Sequence, residues 1–215
     1  MLNLTADQLL STTRSVRKRL DFDKPVQRDV LQDCMELAFQ APNGSNMNTW
    51  RWVLVDDPIV IKDIAKIYNL ALEDYVKVLG ESVGDDYMGA ATPGFEKINQ
   101  SVDYLRENIH RAPAILIPLM SGRVENSGVF MQASCYGSIL QAVWSFFLAL
   151  RARGMGSAWT TAHLWREKEM AELLNIPYKD FTQVGIFPIA YTIGTEFKKA
   201  YRKPFDDVVN WNKFE

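Results

Sequence analysis

Residues 41–50, APNGSNMNTW, lie where a helical pattern ends and a β-type run begins. The proline and glycine end the preceding helix, and the tryptophan opens a short strand pattern. An asparagine amide both donates and accepts hydrogen bonds, so the three asparagines suit the alternating imide edge of a heteroaromatic ring. The same residues also suit a turn with left-handed backbone. Taken alone, the loop leaves both interpretations open.

Upstream of this loop, residues 14–17 spell RSVR and place two guanidinium groups and a hydroxyl within four positions. Each guanidinium offers up to five N–H donors, which suits a phosphate or an electron-rich ring edge. Such a string is also typical of a solvated surface, so charge pattern alone does not assign it a function.

The rest of the chain alternates helical and strand patterns. Helices are expected at residues 5–10, 25–41, 61–76, 126–150 and 165–174, and strands at residues 52–55, 112–120 and 184–193. Glycines, acidic residues and a proline make residues 80–94 a candidate lid. Helical residues outnumber strand residues, which predicts an α+β or α/β layer around a small sheet.

Composition indicates one globular domain over residues 1–215, with 47% hydrophobic and 23% charged residues. The net charge of −2 supplies no broad basic field, so nucleic acid and anionic membrane are unexpected partners. Cys34 and Cys135 lie far apart, and His110 and His163 form no metal-binding pattern, so no metal site is expected. The N-terminus lacks the pattern of a secretory signal, which predicts a cytoplasmic location.

Residues 126–150 contain no charged side chain and are long enough to span a membrane. Several polar residues interrupt them, however, among them Gln132, Ser134, Ser138 and Gln141. Membrane-spanning helices rarely carry so many polar groups without partners in a bundle. A helix buried in the core or in a dimer interface is therefore the preferred interpretation.

Five strings occur in an order that resembles the nitroreductase family. They are RSVR at 14–17, APNGSNMNTW at 41–50, RAP at 111–113, GMGSAW at 154–159 and RKPFDDVV at 202–209. The resemblance implies an α+β fold, with a small mixed β-sheet flanked by helices. It also implies a domain-swapped homodimer with long central helices and two FMN sites at the subunit interface.

The resemblance further implies which residues hold the flavin. Those expected at its phosphate are Arg14, Ser15 and Arg202, and Arg17 is expected at the N1/O2 edge, where reduction gathers negative charge. The amide loop, expected to reach in from the partner subunit, contributes Pro42, Asn43, Gly44 and Asn46. Further contacts are assigned to Ser138, Thr161 and Ala162. Arg17 and Thr161 are the residues given catalytic roles.

Some positions depart from the family pattern. Many relatives have two successive arginines before the serine, whereas here Thr13 precedes Arg14, so one phosphate contact is lost or replaced. Asn48 and Thr49 stand for the usual glutamine and proline, and Ser145 for an asparagine. Thr161 and Ala162 replace two glycines, which resembles the dehalogenating branch of the family.

The resemblance implies a ping-pong cycle in which NADH or NADPH gives a hydride to flavin N5, and an electron-poor small molecule such as a nitroaromatic or quinone then takes the electrons. One alternative is a reductive dehalogenase, in which the Thr161 hydroxyl favours one-electron steps. Thr161 can equally be an ordinary residue at a strand end. Another alternative is a non-catalytic protein that binds or stores FMN.

Overall fold

Six α-helices surround a small sheet in the computed structural model, which describes residues 1–82 and 95–214. The helices are α1 (Ala6–Thr12), α2 (Arg28–Ala38), α3 (Pro58–Ser82), α4 (Phe95–Asn108), α5 (Val129–Ala152) and α6 (Glu167–Leu173). Short 3₁₀ turns occupy Gly44–Asn46, Ile109–Arg111, Ala162–Arg166 and Phe205–Asp207.

The sheet has six strands: β1 (Leu20–Asp21), β2 (Trp50–Val55), β3 (Ala114–Ser121), β4 (Met155–Ser157), β5 (Phe181–Gln183) and β6 (Phe187–Thr192). Its main path is β1-β6-β3-β2, with β4 paired to β6 and β5 paired to β3. All of these pairings are antiparallel: β2, β5 and β6 each run opposite to β3, and β1 and β4 each run opposite to β6. Within the described residues the sheet is thus antiparallel, where a mixed sheet was expected.

The central strand β3 is buried on both faces of the sheet. Its residues alternate between two apolar clusters: Ile115 and Ile117 pack on the side of α3 and α6, and Ala114 and Leu116 pack on the side of α2 and α5. A strand buried on both faces appears in sequence as the continuous apolar run that predicted it.

Most predicted elements are present with shifted ends. The helix expected at 25–41 begins at Arg28, because the preceding Gln27 has extended backbone. The helix expected at 61–76 begins earlier, at Pro58, where Asp57 Oδ1 accepts a hydrogen bond from the Ile59 amide at 2.8 Å. The expected lid at 80–94 lies outside the described residues, except that its first three positions end α3.

The strand expected at 184–193 is β6, which begins three residues later, at Phe187, and ends at Thr192. The separate short strand β5 (Phe181–Gln183) lies before the expected range and was not predicted. A Cβ on Gly185, in the connection between β5 and β6, would lie 2.6 Å from Cζ of Phe187, so this position needs glycine unless the ring shifts. Likewise, the charged helix expected at 165–174 begins as a 3₁₀ turn at Ala162 and becomes α6 at Glu167.

Helix α5 is long and apolar enough to cross a membrane by length and composition alone. One of its faces packs into the core through Ile139, Val143, Phe146 and Leu150, which are at most 1% exposed. Its N-terminal turn leaves Val129 84% exposed and Phe130 81% exposed. It is therefore a core helix that also presents apolar surface.

Candidate functional site

The RSVR segment docks against β4 and the residues that follow it. The Val16 amide donates to the Ser157 carbonyl at 2.8 Å, and the Ser15 hydroxyl accepts from the Trp159 amide at 3.0 Å. A Cβ on Gly156 would lie 3.1 Å from Val16 Cγ2, so this close approach requires glycine. Two strings that are 140 residues apart in sequence are thus brought together.

A cavity of about 270 Å³ lies beside this junction, and we call it the cation cavity. Its lining comprises Leu10, Ser11, Thr13, Arg14, Trp144, Lys198, Lys199, Ala200 and Arg202. Arg14 Nη1 donates to the Lys198 carbonyl at 3.2 Å, which ties the RSVR segment to the C-terminal tail. Four cations line the cavity and, among the described residues, no carboxylate does. Arg14 and Arg202, predicted to share a phosphate, therefore share a cavity.

Ser15 does not line the cation cavity. Its oxygen instead holds the Trp159 amide, so in this chain the serine fixes the backbone between the two strings. The hydroxyl proton is still available as a donor, and the phosphate contact assigned to Ser15 stays a prediction.

Arg17 lies further along the same segment, beside Tyr68 and Thr160. Its Nη1 donates to Ser101 Oγ at 3.4 Å, and the Thr160 hydroxyl donates to Tyr68 Oη at 3.3 Å. Burial lowers the pKa of Arg17, and the nearby Tyr68 opposes that effect. Burial also raises the pKa of Tyr68, which is 2% exposed and neutral at physiological pH. Arg17 is therefore a half-buried cation whose neighbours here are hydroxyls.

Thr161 and Ala162 follow directly. Thr161 is exposed, and its carbonyl accepts from the Leu164 amide at 3.0 Å to close the 3₁₀ turn that begins at Ala162. The structure thus places both residues at the end of the segment that RSVR contacts. Thr161 is accessible to a ligand, and both its expected flavin contact and the strand-end interpretation stay predictions.

The amide loop lines a second cavity, of about 350 Å³, which we call the amide-loop cavity. Asn43 and Gly44 line it together with Ser134, Cys135 and Ser138 of α5. The Gly44 amide donates to Ser138 Oγ at 2.8 Å, and that hydroxyl donates to the Ser134 carbonyl at 2.7 Å. In this chain Ser138 therefore anchors the loop, and its expected flavin contact stays a prediction.

Within the loop the amides bond to one another. Asn43 Nδ2 donates to Asn48 Oδ1 at 3.1 Å, and the Asn48 amide donates to Asn43 Oδ1 at 2.9 Å. Ser45, Asn46 and Asn48 have φ values of 51°, 53° and 51°. The left-handed turn that the sequence allowed is thus present, while Pro42 and Asn46 remain exposed to other molecules.

The structure does not bring the amide loop to the arginines of the same chain. The two cavities share no lining residue. Both border α5, the amide-loop cavity at Ser138 and the cation cavity at Trp144. The predicted site residues therefore form two groups on one chain.

A buried polar network supports the turn that carries Thr161 and Ala162. Arg123 binds both carboxylate oxygens of Glu167 at 2.8 Å, and the Gln183 amide donates to Glu167 Oε1 at 2.9 Å. Gln183 Nε2 donates to the Glu167 carbonyl, so Gln183 Oε1 faces His163 Nε2 at 3.2 Å. Burial lowers the pKa of His163 to about 4, and the ring is therefore neutral. We infer that Nε2 carries the proton.

Sequence reasoning missed several residues at the site. Lys198 and Lys199 were visible only as a basic stretch of the tail, and Tyr68 only as one apolar position of a helix. Trp144, which lines the cation cavity, is in the sequence one of several aromatic residues in the uncharged helix. These residues join the site through tertiary contacts that have no local signal in the sequence.

Comparisons with known proteins agree with this architecture. A family model described as Nitroreductase family matches residues 10–191. A BluB-like flavoprotein from Clostridium difficile 630 has a TM-score of 0.73 at 15% identity, covering 98% of this chain and 100% of that chain. An oxidized iodotyrosine deiodinase bound to FMN and 3-iodo-L-tyrosine has a TM-score of 0.70 at 21% identity, covering 94% and 96%.

The FMN and NADPH-dependent nitroreductase NfnB from Sphigopyxis sp. strain HMH has a TM-score of 0.69 at 18% identity, covering 98% of this chain and 100% of that chain. At these identities the likeness establishes the fold. It confirms the α+β class with a small sheet flanked by helices.

Proposed function

This chain belongs to the nitroreductase family, and on that premise we propose that it is an FMN-dependent oxidoreductase that uses NADH or NADPH to reduce an electron-poor small molecule, such as a nitroaromatic or quinone, in the cytoplasm. Family membership supports a flavin oxidoreductase in general terms. The finer proposal depends on what the chain's own residues can bind.

The cation cavity is the observation that carries the proposal. Arg14, Lys198, Lys199 and Arg202 line a space of about 270 Å³, and the described lining includes no acidic group. A phosphate dianion is bound best by several charge-assisted donors at once, and planar arginines can bind it bidentately. The donor set therefore fits the phosphate of FMN.

Arg17 is positioned to act at the other end of the same segment. It lies three positions after Arg14, and it is half-buried beside Tyr68 and Ser101. A fixed cation in a partly dry site stabilises negative charge more than it would in water. When bound, FMN would supply the hydride chemistry at N5. Arg17 would hold the negative charge that reduction places at the N1/O2 edge.

A homodimer is the second part of the proposal. Exposed apolar side chains occur at the start of α5 and along the C-terminal tail, namely Val129, Phe130, Met131, Phe205, Val208, Trp211 and Phe214. Exposed apolar side chains clustered in these two segments indicate an interaction surface. A second copy of the chain would cover it and would add its amide loop to the cation cavity and Arg17.

The test is an FMN titration followed by flavin fluorescence. We expect the wild type to purify yellow and as a dimer by light scattering. Arg14→Gln and Arg202→Gln should each raise the Kd for FMN about tenfold to hundredfold, since a hydrogen bond to a charged group contributes about 1.5–3 kcal/mol. Arg106→Gln is the control, because Arg106 forms an exposed pair with Glu73. A colourless monomer that does not bind FMN would overturn the proposal.

Turnover separates an enzyme from a protein that only stores flavin. We expect steady oxidation of NADH or NADPH in the presence of a quinone or a nitroaromatic. FMN binding without turnover on either donor would favour the non-catalytic alternative.

Reductive dehalogenation is a second candidate, and the exposed Thr161 hydroxyl favours it. Thr161 ends the segment that RSVR contacts, where it could donate to flavin N5. Anaerobic reduction should then accumulate one-electron-reduced flavin in the wild type and much less of it in Thr161→Ala. Equal accumulation in both proteins would return Thr161 to an ordinary strand-end role.

A further inference from the structure

Arg151, in the last turn of α5, is a buried cation that forms no ion pair with any of the described residues. It is 5% exposed, and its Nη2 donates to Thr12 Oγ1 at 3.4 Å. Its Nε and Nη1 find no hydrogen-bond acceptor among the described residues. Buried charges are ordinarily paired, because an unpaired one is costly to desolvate. This guanidinium therefore needs an explanation that the fold alone does not supply.

Arg151 lines a small cavity beside the cation cavity. The small cavity has a volume of about 10 Å³, and Ser157, whose buried hydroxyl also lacks a partner among the described residues, lines it too. Thr13 and Arg14 line both cavities and so form the wall between them. A space of this size holds about one water molecule and no phosphate. Arg151 therefore acts on the cation cavity through this wall and without direct contact.

Arg151 also contacts the tail segment that carries half of the cations. Its Cζ lies 4.9 Å from the centre of the Phe197 ring, and Arg19 Cζ lies 4.1 Å from the same ring. Lys198 and Lys199, which follow Phe197 in sequence, line the cation cavity. A cation over an aromatic face is attractive, more so when both groups are desolvated.

We propose that Arg151 is a buried positioning cation of the phosphate site, which strengthens binding of the FMN phosphate through its positive charge, which is not ion-paired, and by holding the Phe197 segment in place. The inference rests on the proposed function. A buried charge is screened by salt far less than an exposed one, so its field persists across the wall formed by Thr13 and Arg14. Glu196 acts on Arg151 only at a distance, without an ion pair, and a bound phosphate dianion would add a second opposite charge.

The test compares FMN with riboflavin, which has the same ring and no phosphate. Both are titrated against the full-length apoprotein, using flavin fluorescence, for the wild type, Arg151→Met and Arg151→Lys. Arg151→Met should raise the Kd for FMN about tenfold, or about 1.4 kcal/mol, and change the Kd for riboflavin less than about twofold. Arg151→Lys keeps the charge and should bind FMN within about threefold of the wild type.

Arg153→Met is the matched control, because it removes one positive charge from the same end of the helix and Arg153 lines neither cavity. It should leave both dissociation constants unchanged. Equal weakening of FMN and riboflavin in either Arg151 variant would show a merely structural role and overturn the inference, as would an unchanged FMN Kd in Arg151→Met. If the wild type binds neither flavin, the proposed function fails instead.

Discussion

The buried His163 should make the stability of this protein depend on pH in a defined window. Its ring is 0% exposed, and burial lowers its pKa to about 4, with the Gln183 hydrogen bond opposing the shift. In an unfolded chain histidine titrates near pH 6.5, about the model-peptide value. Between these two values the unfolded chain binds a proton that the native protein does not. The free energy of unfolding therefore falls as the pH drops through this window and is retained above it.

The magnitude follows from the two pKa values. Between pH 7 and pH 5 the linkage relation gives a loss of about 2 kcal/mol from this one group. That is a substantial part of the total stability of a typical domain, which is about 5–15 kcal/mol.

The measurement is urea unfolding at pH 7 and pH 5, at fixed protein concentration and with excess FMN. His163→Gln keeps an amide that can donate to Gln183 and removes the titrating ring, so its loss on acidification should be about 2 kcal/mol smaller than that of the wild type. The chain has two histidines, and the exposed His110 supplies the control. The reasoning would be refuted if His163→Gln lost as much unfolding free energy between pH 7 and pH 5 as the wild type, or if His110→Gln no longer lost any.

Two further predictions concern the supports of the site. Gly156→Ala should lower the free energy of unfolding by about 1–3 kcal/mol and weaken FMN binding, because the new methyl group would press on Thr192 at 3.0 Å and on Val16 at 3.1 Å. Urea unfolding and FMN titration measure the two effects, and unchanged FMN binding would show that the RSVR segment does not depend on its contact with Gly156. Glu167→Gln should lower the free energy of unfolding by about 2 kcal/mol, because it leaves the largely buried Arg123 with only its exposed ion-pair partner Glu125. Glu125→Gln, at that 49% exposed partner, should lower it by less than about 1 kcal/mol in the same urea unfolding, and equal losses would contradict the assignment.

Periodicity predicted the fold class and most of its elements because burial repeats along the chain. The uncharged run at 126–150 and the apolar run at 112–120 correspond to α5 and β3, which form the centre of the molecule. Boundaries were less accurate where one side chain decides them, as at Gly185, where the ring of Phe187 leaves no room for a Cβ. A break of that kind depends on a neighbouring ring in three dimensions and has no periodic signal.

The site was predictable only where its residues are adjacent in sequence. RSVR and GMGSAW were recognised as strings, and the structure joins them through Ser15 and Val16. Arg151 and Tyr68 were not recognised, because one ends an apolar helix and the other occupies an apolar position of α3. Their importance arises from burial beside polar partners, which a single sequence does not display.

The separation of the two cavities along α5 argues for a site built from two chains. Ser138, at the amide-loop cavity, and Trp144, at the cation cavity, are six residues apart, which is about 9 Å along the helix and about 120° around it. One chain therefore directs its amide loop and its cations to different sides of the same helix. A two-fold copy packed against the exposed apolar surface of α5 would place each loop near the other chain's cations. Accordingly, Gly44→Ala, which would press a methyl group to 3.0 Å from Ser134 Oγ, should weaken FMN binding without changing any residue of the cation cavity.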